Sequence, residues 1–173
     1  MLSALILAAD PHMSPAKPDV LVRSLAALVP AAIEGLVRDL TIAGLAGSDL
    51  ANIADHAGCE FSESGAAEHV LSDGLKLVRG PHVLVLRAGH APEAGFIEEI
   101  SDFLARSNAM ERGAHMHQKP ESFWPTLLPI LSPVVGLISS RQKILAANAQ
   151  DFAALVRHVK PKVMLRARGR RVD

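Results

Sequence analysis

Two kinds of hydrophobic pattern alternate along the first two thirds of the chain. Short runs rich in apolar residues occupy Leu2 to Ala9, Val37 to Leu45, with Arg38 and Asp39 at its entry, and Val83 to Leu86, with a shorter strand-like segment at Cys59 to Ser62. Such runs have the length of strands buried on both faces and are too short for independent helices. Between them the apolar residues fall at helical spacing. Val20, Leu21, Leu25, Leu28, Val29 and Ile33 form one such stripe, which Asp19 is placed to cap and which continues despite Pro30. Asp49 to His56 follows, opened by Ser48 or Asp49 and stopped by Gly58. Ala66 to Val78 places Ala67, Val70, Leu71, Leu75 and Val78 on one side. Glu93 to Arg106 turns Phe96, Ile97, Ile100, Phe103 and Leu104 inward and leaves Glu98, Glu99 and Asp102 as a solvated face.

Strand and helix therefore alternate four times, the signature of an α/β domain: a three-layer α/β/α sandwich with a mostly parallel central sheet. After Asn108 the pattern loosens. Ala109 to Gln118 reads as a strand with His115 and His117 pointing the same way. Ser122 to Pro133 is apolar but holds Pro125, Pro129 and Pro133, which argues against a long helix. Val134 to Ile138 reads as a strand, and Asn148 to Val159 as a helix capped by Asn148. The expected organisation is one domain over 1–173, with a regular half to residue 108 and a less regular half from 109.

At 173 residues the chain is long enough to bury roughly 70% of its unfolded surface. Apolar residues make up 49% of it but aromatic ones only 3%, so the core is built from Leu, Val, Ile and Ala. The single cysteine, Cys59, excludes an intrachain disulfide and fits a reducing compartment. The apolar start has no preceding Lys or Arg and is broken by Asp10-Pro11, which reads as a strand rather than a signal peptide. No run reaches the ~18 apolar residues of a membrane span. The expected location is cytoplasmic, with attachment at the inner membrane face as the alternative.

The net charge of zero hides an asymmetry. Residues 1–109 carry 14 acids and 7 bases, whereas residues 110–173 carry 4 acids and 11 bases, giving −7 and +7. In the tail Arg166, Arg168 and Arg170 alternate, flanked by Lys160, Lys162 and Arg171. That pattern fits a charged edge strand or attraction to an anionic membrane surface. Without interleaved aromatics it does not fit nucleic acid. Phe123, Trp124 and Leu127 to Leu131 lie upstream, and suit a membrane surface, an oligomer interface or plain core.

In open α/β sheets ligands sit beyond the carboxyl ends of the strands. The strand at Val83 to Leu86 ends in Arg87-Ala88-Gly89-His90: a cation, two small residues and a histidine, with no carboxylate. The chain has no Gly-x-Ser-x-Gly elbow and no glycine-rich phosphate loop of the dinucleotide or P-loop type. His115-Met116-His117 has two readings. One is a zinc site completed by His82 or His90; the other is a pair of hydrogen-bonded or exposed histidines.

Several of these segments resemble family-2-type glycosyltransferases of the GT-A fold, the nucleotide-diphospho-sugar transferase type. Asp49-Leu50-Ala51-Asn52-Ile53-Ala54-Asp55-His56 is similar to the helix after the family's second strand, and Ser72-Asp73-Gly74 to its Asn-x-Gly segment. Val83-Leu84-Val85-Leu86 resembles the strand that ends in Asp-x-Asp. The resemblance spans residues 2 to 106 and implies sugar transfer from a nucleotide diphosphate sugar. The implied nucleotide pocket comprises Ala8, Ala9, Asp10, Ala43, Gly44, Asp73, Arg87, Ala88, Gly89 and His90. Two departures stand out. Ala43 occupies the position of the uracil-contacting carboxylate, and Arg87-Ala88-Gly89 replaces Asp-x-Asp. Hard cations require carboxylate oxygens, so no divalent metal is expected, and Arg87 is the candidate to meet diphosphate directly. No Glu-Asp pair marks the catalytic base; Asp151 is the candidate. The expectation is an impaired or metal-independent glycosyltransferase-like protein. The alternative is a pseudoenzyme that uses the fold to bind a protein partner, a second copy or a membrane surface.

Overall fold

The computed structural model describes residues 1–106, 108–120 and 132–172. Its centre is a seven-stranded sheet in which Leu2–Leu7 (β1) lies between Val37–Leu45 (β2) and His82–Arg87 (β4). Glu60–Ser64 (β3) adds outside β2. On the other side β4 is followed by Val134–Ser140 (β7), Ala114–His117 (β6) and Val163–Met164 (β8). The β3-β2-β1-β4 block is parallel. Only β7 runs the other way, antiparallel to both β4 and β6, while β8 is parallel to β6. The carboxyl ends of β1, β2, β3, β4 and β6 therefore share one edge of the sheet. That shared edge positions the site.

The helices cover both faces. Pro18–Ile33 (α1) and Phe96–Leu104 (α4) bury Leu21, Leu28, Phe96, Ile100 and Phe103 with Leu2, Ala4, Ile6, Leu84 and Leu86. Ala67–Leu77 (α3), Arg141–Ala146 and Phe152–Val159 cover the other side with Val70, Leu71, Leu75, Ile144, Phe152 and Leu155 against Leu5, Leu7, Val83 and Val85. Alternate residues of β1 thus enter different cores, as a strand period of two dictates. Leu50–His56 (α2) and the short Ala109–Arg112 (α5) complete the helices up to β6; Arg141–Ala146 is α6 and Phe152–Val159 is α7. Among the described residues no helix is long and apolar enough to cross a membrane.

The first four strands and α1 to α4 stand within a few residues of where the hydrophobic pattern puts them. Several details differ. Asp19 does not cap α1: Lys17 occupies the cap position and Pro18 the first turn, where a missing N–H costs nothing. Val29 and Ile33 belong to the helical stripe but are 51% and 80% exposed, because the helix buries Leu21, Ser24, Leu28 and Ala31 instead. Asp49 is the cap position of α2 but makes no side-chain hydrogen bond there. Residues 109–118 divide into α5 and β6, with Gly113 at φ +62° between them. The helix expected from Asn148 begins at Phe152, where Asp151 accepts from the Ala154 N–H at 2.6 Å, while Asn148 sits at φ 43°. The apolar stretch read from Ser122 lies, as far as Leu131, outside the described residues.

One connection matters most for function. After β4 the chain does not pass directly into a helix. Gly89, at φ +85°, reverses it into His90–Pro92 (β5), which pairs antiparallel with Gly169–Arg171 (β9) of the basic tail. A side chain at Gly89 would be strained and would also meet Val20 Cγ1 at 3.4 Å. The turn is held from both sides: the Gly89 N–H donates to Ser24 Oγ and the Val172 N–H donates to the Gly89 carbonyl, each at 2.9 Å.

Candidate functional site

Beyond their last ladder bonds, β1, β2 and β4 stay together. The Ala8 N–H donates to the Ala43 carbonyl at 2.8 Å, the Ala88 N–H to Leu7 at 2.9 Å and the Ala16 N–H to Ala8 at 2.6 Å. Small residues allow this close packing. Ala8, Ala9 and Ala43 are at most 2% exposed and Gly44 is buried, so none of them is open to a ligand. Beside them opens a cleft of about 470 Å³, lined by the loop after β1 (Met13 to Lys17), Asp19 and Val20 at the start of α1, Arg87 to His90, Gln118 after β6, and Arg171 and Val172 of the tail. Four of the ten expected pocket residues, Arg87, Ala88, Gly89 and His90, line it.

The cleft is cationic. Lys17, Arg87 and Arg171 contribute guanidinium or ammonium groups, and Asp19 is the one carboxylate among the described lining residues. Arg87 is half-buried, with its Nε against the Met13 thioether. Burial lowers its pKa from the usual value, and the nearby Asp10 charge opposes that. His90 is 9% exposed, and its Nδ1 has no hydrogen-bond partner among the described residues. Burial pushes its pKa down, more than its interaction with Gln118 pushes it up, so the ring is neutral near pH 7.

A measurable consequence follows for stability. His115 is likewise depressed, first by burial and then by the positive fields of His117 and Arg168. In both residues the unfolded chain takes up a proton at a higher pH than the folded one. Their contribution is therefore complete above the unfolded value of about 6.5 and is lost as pH falls through the folded values. Thermal melts between pH 8 and pH 5 should show the decline, and replacing His90 and His115 by Gln should flatten it.

Three expected site carboxylates are engaged within the chain. Asp10 is 7% exposed; its Oδ1 accepts from the His12 N–H at 3.0 Å and its Oδ2 from the Phe152 N–H at 2.8 Å. It ties the end of β1 to the start of α7. Asp151, besides capping α7, lies with Oδ2 3.7 Å from His12 Nε2. Asp73, on α3, accepts from Ser64 Oγ at 2.8 Å and Lys76 Nζ at 2.6 Å, and these bonds, Lys76 first, hold its pKa below the usual carboxylate value.

The donor set at the cleft is poor for a hard cation. The three residues at the Asp-x-Asp position offer no side-chain oxygen, and both Asp10 oxygens accept backbone N–H groups. His115 and His117 do stand together, ring centroids 5.0 Å apart, with His117 Nδ1 2.5 Å from the Ser132 carbonyl. Among the described residues, however, no group of three or more His, Cys, Asp or Glu is placed to hold a metal ion.

Sequence reasoning missed Lys17, Gln118 and Arg171. Gln118 follows a strand whose carboxyl end was expected, so the strand-end rule reaches it once β6 is known to run parallel to β4. Arg171 belongs to a tail whose alternation of charge signalled an edge strand, but nothing in that pattern names β5 as its partner.

No protein-family model matches the chain, and no curated protein sequence matches it. Solved structures do. Glucosyl-3-phosphoglycerate synthase from Mycobacterium tuberculosis, in complex with Mn²⁺, UDP and phosphoglyceric acid, superposes with a TM-score of 0.61 at 14% identity over 94% of this chain and 66% of its own. The chain has a GT-A-like α/β/α fold. The 4-diphosphocytidyl-2C-methyl-D-erythritol synthase from Anaerococcus prevotii gives 0.59 at 11% identity over 99% of this chain and 89% of that one. HddC from Yersinia pseudotuberculosis, complexed with GMP-PN, gives 0.54 at 11% over 88% and 82%. At such identities the likeness is one of fold. Both sugar-transferring and nucleotidyl-transferring enzymes stand among these neighbours.

Proposed function

We propose that this protein is a nucleotide-sugar-transferase-like protein that holds the diphosphate of its ligand with cationic side chains instead of a divalent metal. The observation that carries this reading is that half-buried Arg87, with Lys17, lines the cleft at the carboxyl ends of β1, β4 and β6, the strand-end position at which ligands of open α/β sheets are bound. Arg87 supplies a planar fork suited to phosphoryl oxygens. The neighbours support the class of ligand: the mycobacterial synthase was crystallised with UDP, and HddC with GMP-PN.

In calorimetric titration with UDP, GDP and their sugars, binding should persist in EDTA and be unchanged by Mn²⁺. Arg87→Met should weaken it about tenfold, the loss of roughly 1.4 kcal/mol expected of one charge-assisted contact. Binding that requires Mn²⁺ would refute the metal-free reading.

A second reading, a binding protein without catalysis, draws on a different surface. Val22 and Val29 of α1 are about half exposed and line an apolar groove of about 640 Å³ with Leu25 and Ile53. If this groove associates with a second copy, Val29→Glu should lower the sedimentation coefficient at high protein concentration. A coefficient equal to that of the monomer in both proteins would rule self-association out.

A further inference from the structure

We infer that the edge of the sheet opposite the cleft docks on an anionic lipid bilayer, which it meets with lysine and arginine side chains that the fold leaves without carboxylate partners. This goes beyond the proposed reading of the cleft and does not depend on it.

The topology gathers these cations. The cleft lies where β1, β4 and β6 end; at the other edge β6 and β8 begin and β7 ends. Arg112 closes α5 just before β6, Lys160 and Lys162 precede β8, and Lys143 belongs to α6, which follows β7 directly. Hydrogen bonds hold these segments against one another. The Lys162 N–H donates to the Arg112 carbonyl at 2.8 Å, the Val163 N–H to the Gly113 carbonyl at 3.2 Å, and Lys143 Nζ to the Glu111 carbonyl at 2.6 Å. All four cationic residues are exposed. Among the described residues none of them forms an ion pair, whereas Lys76, Arg79 and Lys119 elsewhere each have a carboxylate partner. Residues 111–112, 141–145 and 160–164 contain one acid, Glu111. Positive charge therefore dominates this end of the edge.

Large apolar side chains are exposed beside the cations. Met164, two residues after Lys162, is 45% exposed. Leu77 is 38% exposed and precedes Val78, whose carbonyl accepts from Arg141 Nε at 2.8 Å, two residues before Lys143. A bilayer rewards both kinds of group, because anionic headgroups attract Lys and Arg while aliphatic side chains enter the interface. The phosphates of a nucleic acid would engage the cations alone. The −7 carried by residues 1–109 against the +7 of residues 110–173 also orients the approach, basic end first. Bound in this way, the protein keeps its cleft turned toward the aqueous side.

The test is co-sedimentation of the full chain with vesicles of phosphatidylcholine alone and with about 30% phosphatidylglycerol, at about 0.1 M and about 0.5 M salt. The expected result is binding to the anionic vesicles only, lost at the higher salt and weakened about tenfold or more in Lys143→Glu/Lys162→Glu. Arg112→Gln/Lys160→Gln, which leaves the Lys143 bond to Glu111 in place, serves as a second variant should the first fold poorly, and should weaken binding in the same direction. Arg23→Glu/Arg170→Glu makes the same change in net charge on other surfaces and should bind within about threefold of the unaltered protein. Equal weakening in that control would mean attraction by net charge alone and would overturn the inference. Equal binding to both kinds of vesicle, or binding to neither, overturns it as well. A DNA duplex held more tightly than the anionic vesicles would assign the surface to nucleic acid instead.

Discussion

Asp10→Ala should lower the melting temperature by about 10 °C. The carboxylate is buried and spans two segments far apart in the chain, accepting from His12 next door and from Phe152 at the start of α7. Removing it strands a buried backbone donor, which costs the full desolvation of that group, and deletes a charge-assisted bond at a helix start as well. Together these amount to about 3 kcal/mol, and a chain of this length shifts roughly 2–4 °C per kcal/mol. Asp10→Asn keeps one carbonyl acceptor and should recover about half the loss. Thermal unfolding followed by circular dichroism reads both variants; an unchanged midpoint for Asp10→Ala would mean that water satisfies the Phe152 amide equally well.

Gly74→Val should be nearly as damaging. Gly74 lies mid-helix, where alanine would ordinarily be worth about 1 kcal/mol more than glycine. Here that gain is opposed, because any Cβ would stand 2.7 Å from the Ala43 methyl and 2.9 Å from Leu5 Cδ1. Leu5 can rotate; Ala43, fixed in β2, cannot. Overpacking costs about 1–3 kcal/mol, so Gly74→Ala should be mildly destabilising and Gly74→Val should cost about 3 kcal/mol, adding the poorer helix propensity of a β-branched residue. Ala43→Gly removes the immovable neighbour and should recover much of the loss in the Gly74→Ala background. Additive effects of the two changes in urea melts would show that the helix simply moves away from the sheet.

The two variants also mark where the sequence was informative. Runs such as Leu2 to Leu7 and Val83 to Leu86 are legible because a strand covered on both faces must be apolar at every position. The helices between them are legible because their stripes recur at 3.6 residues. At β5, and beyond residue 108, those signals fail for physical reasons. β5 and β9 are three residues each, too short for any period to register, and β8 has two. The reversed direction of β7 leaves no mark in its composition, since a central antiparallel strand is as apolar as a parallel one. The short α6 was not anticipated. At the site, Arg87 to His90 was legible from its place after a central strand. The engagement of Asp10 with Phe152 was not, because a carboxylate that holds two backbone amides looks in sequence like one free to meet a ligand.

The cleft is assembled from four stretches: residues 13–20, 87–90, 118, and 171–172. No contiguous fragment of the chain contains it, and β5 needs β9 before the last wall is in place. On the proposed reading, ligand affinity is coupled to completion of the whole molecule, and a bound anion would act as a clasp that closes one end of the chain onto the other. A saturating ligand should then raise the midpoint of global unfolding rather than protect a local region. In hydrogen exchange, slowing would extend from the amides of Gly89 and Val172 into the central strands together.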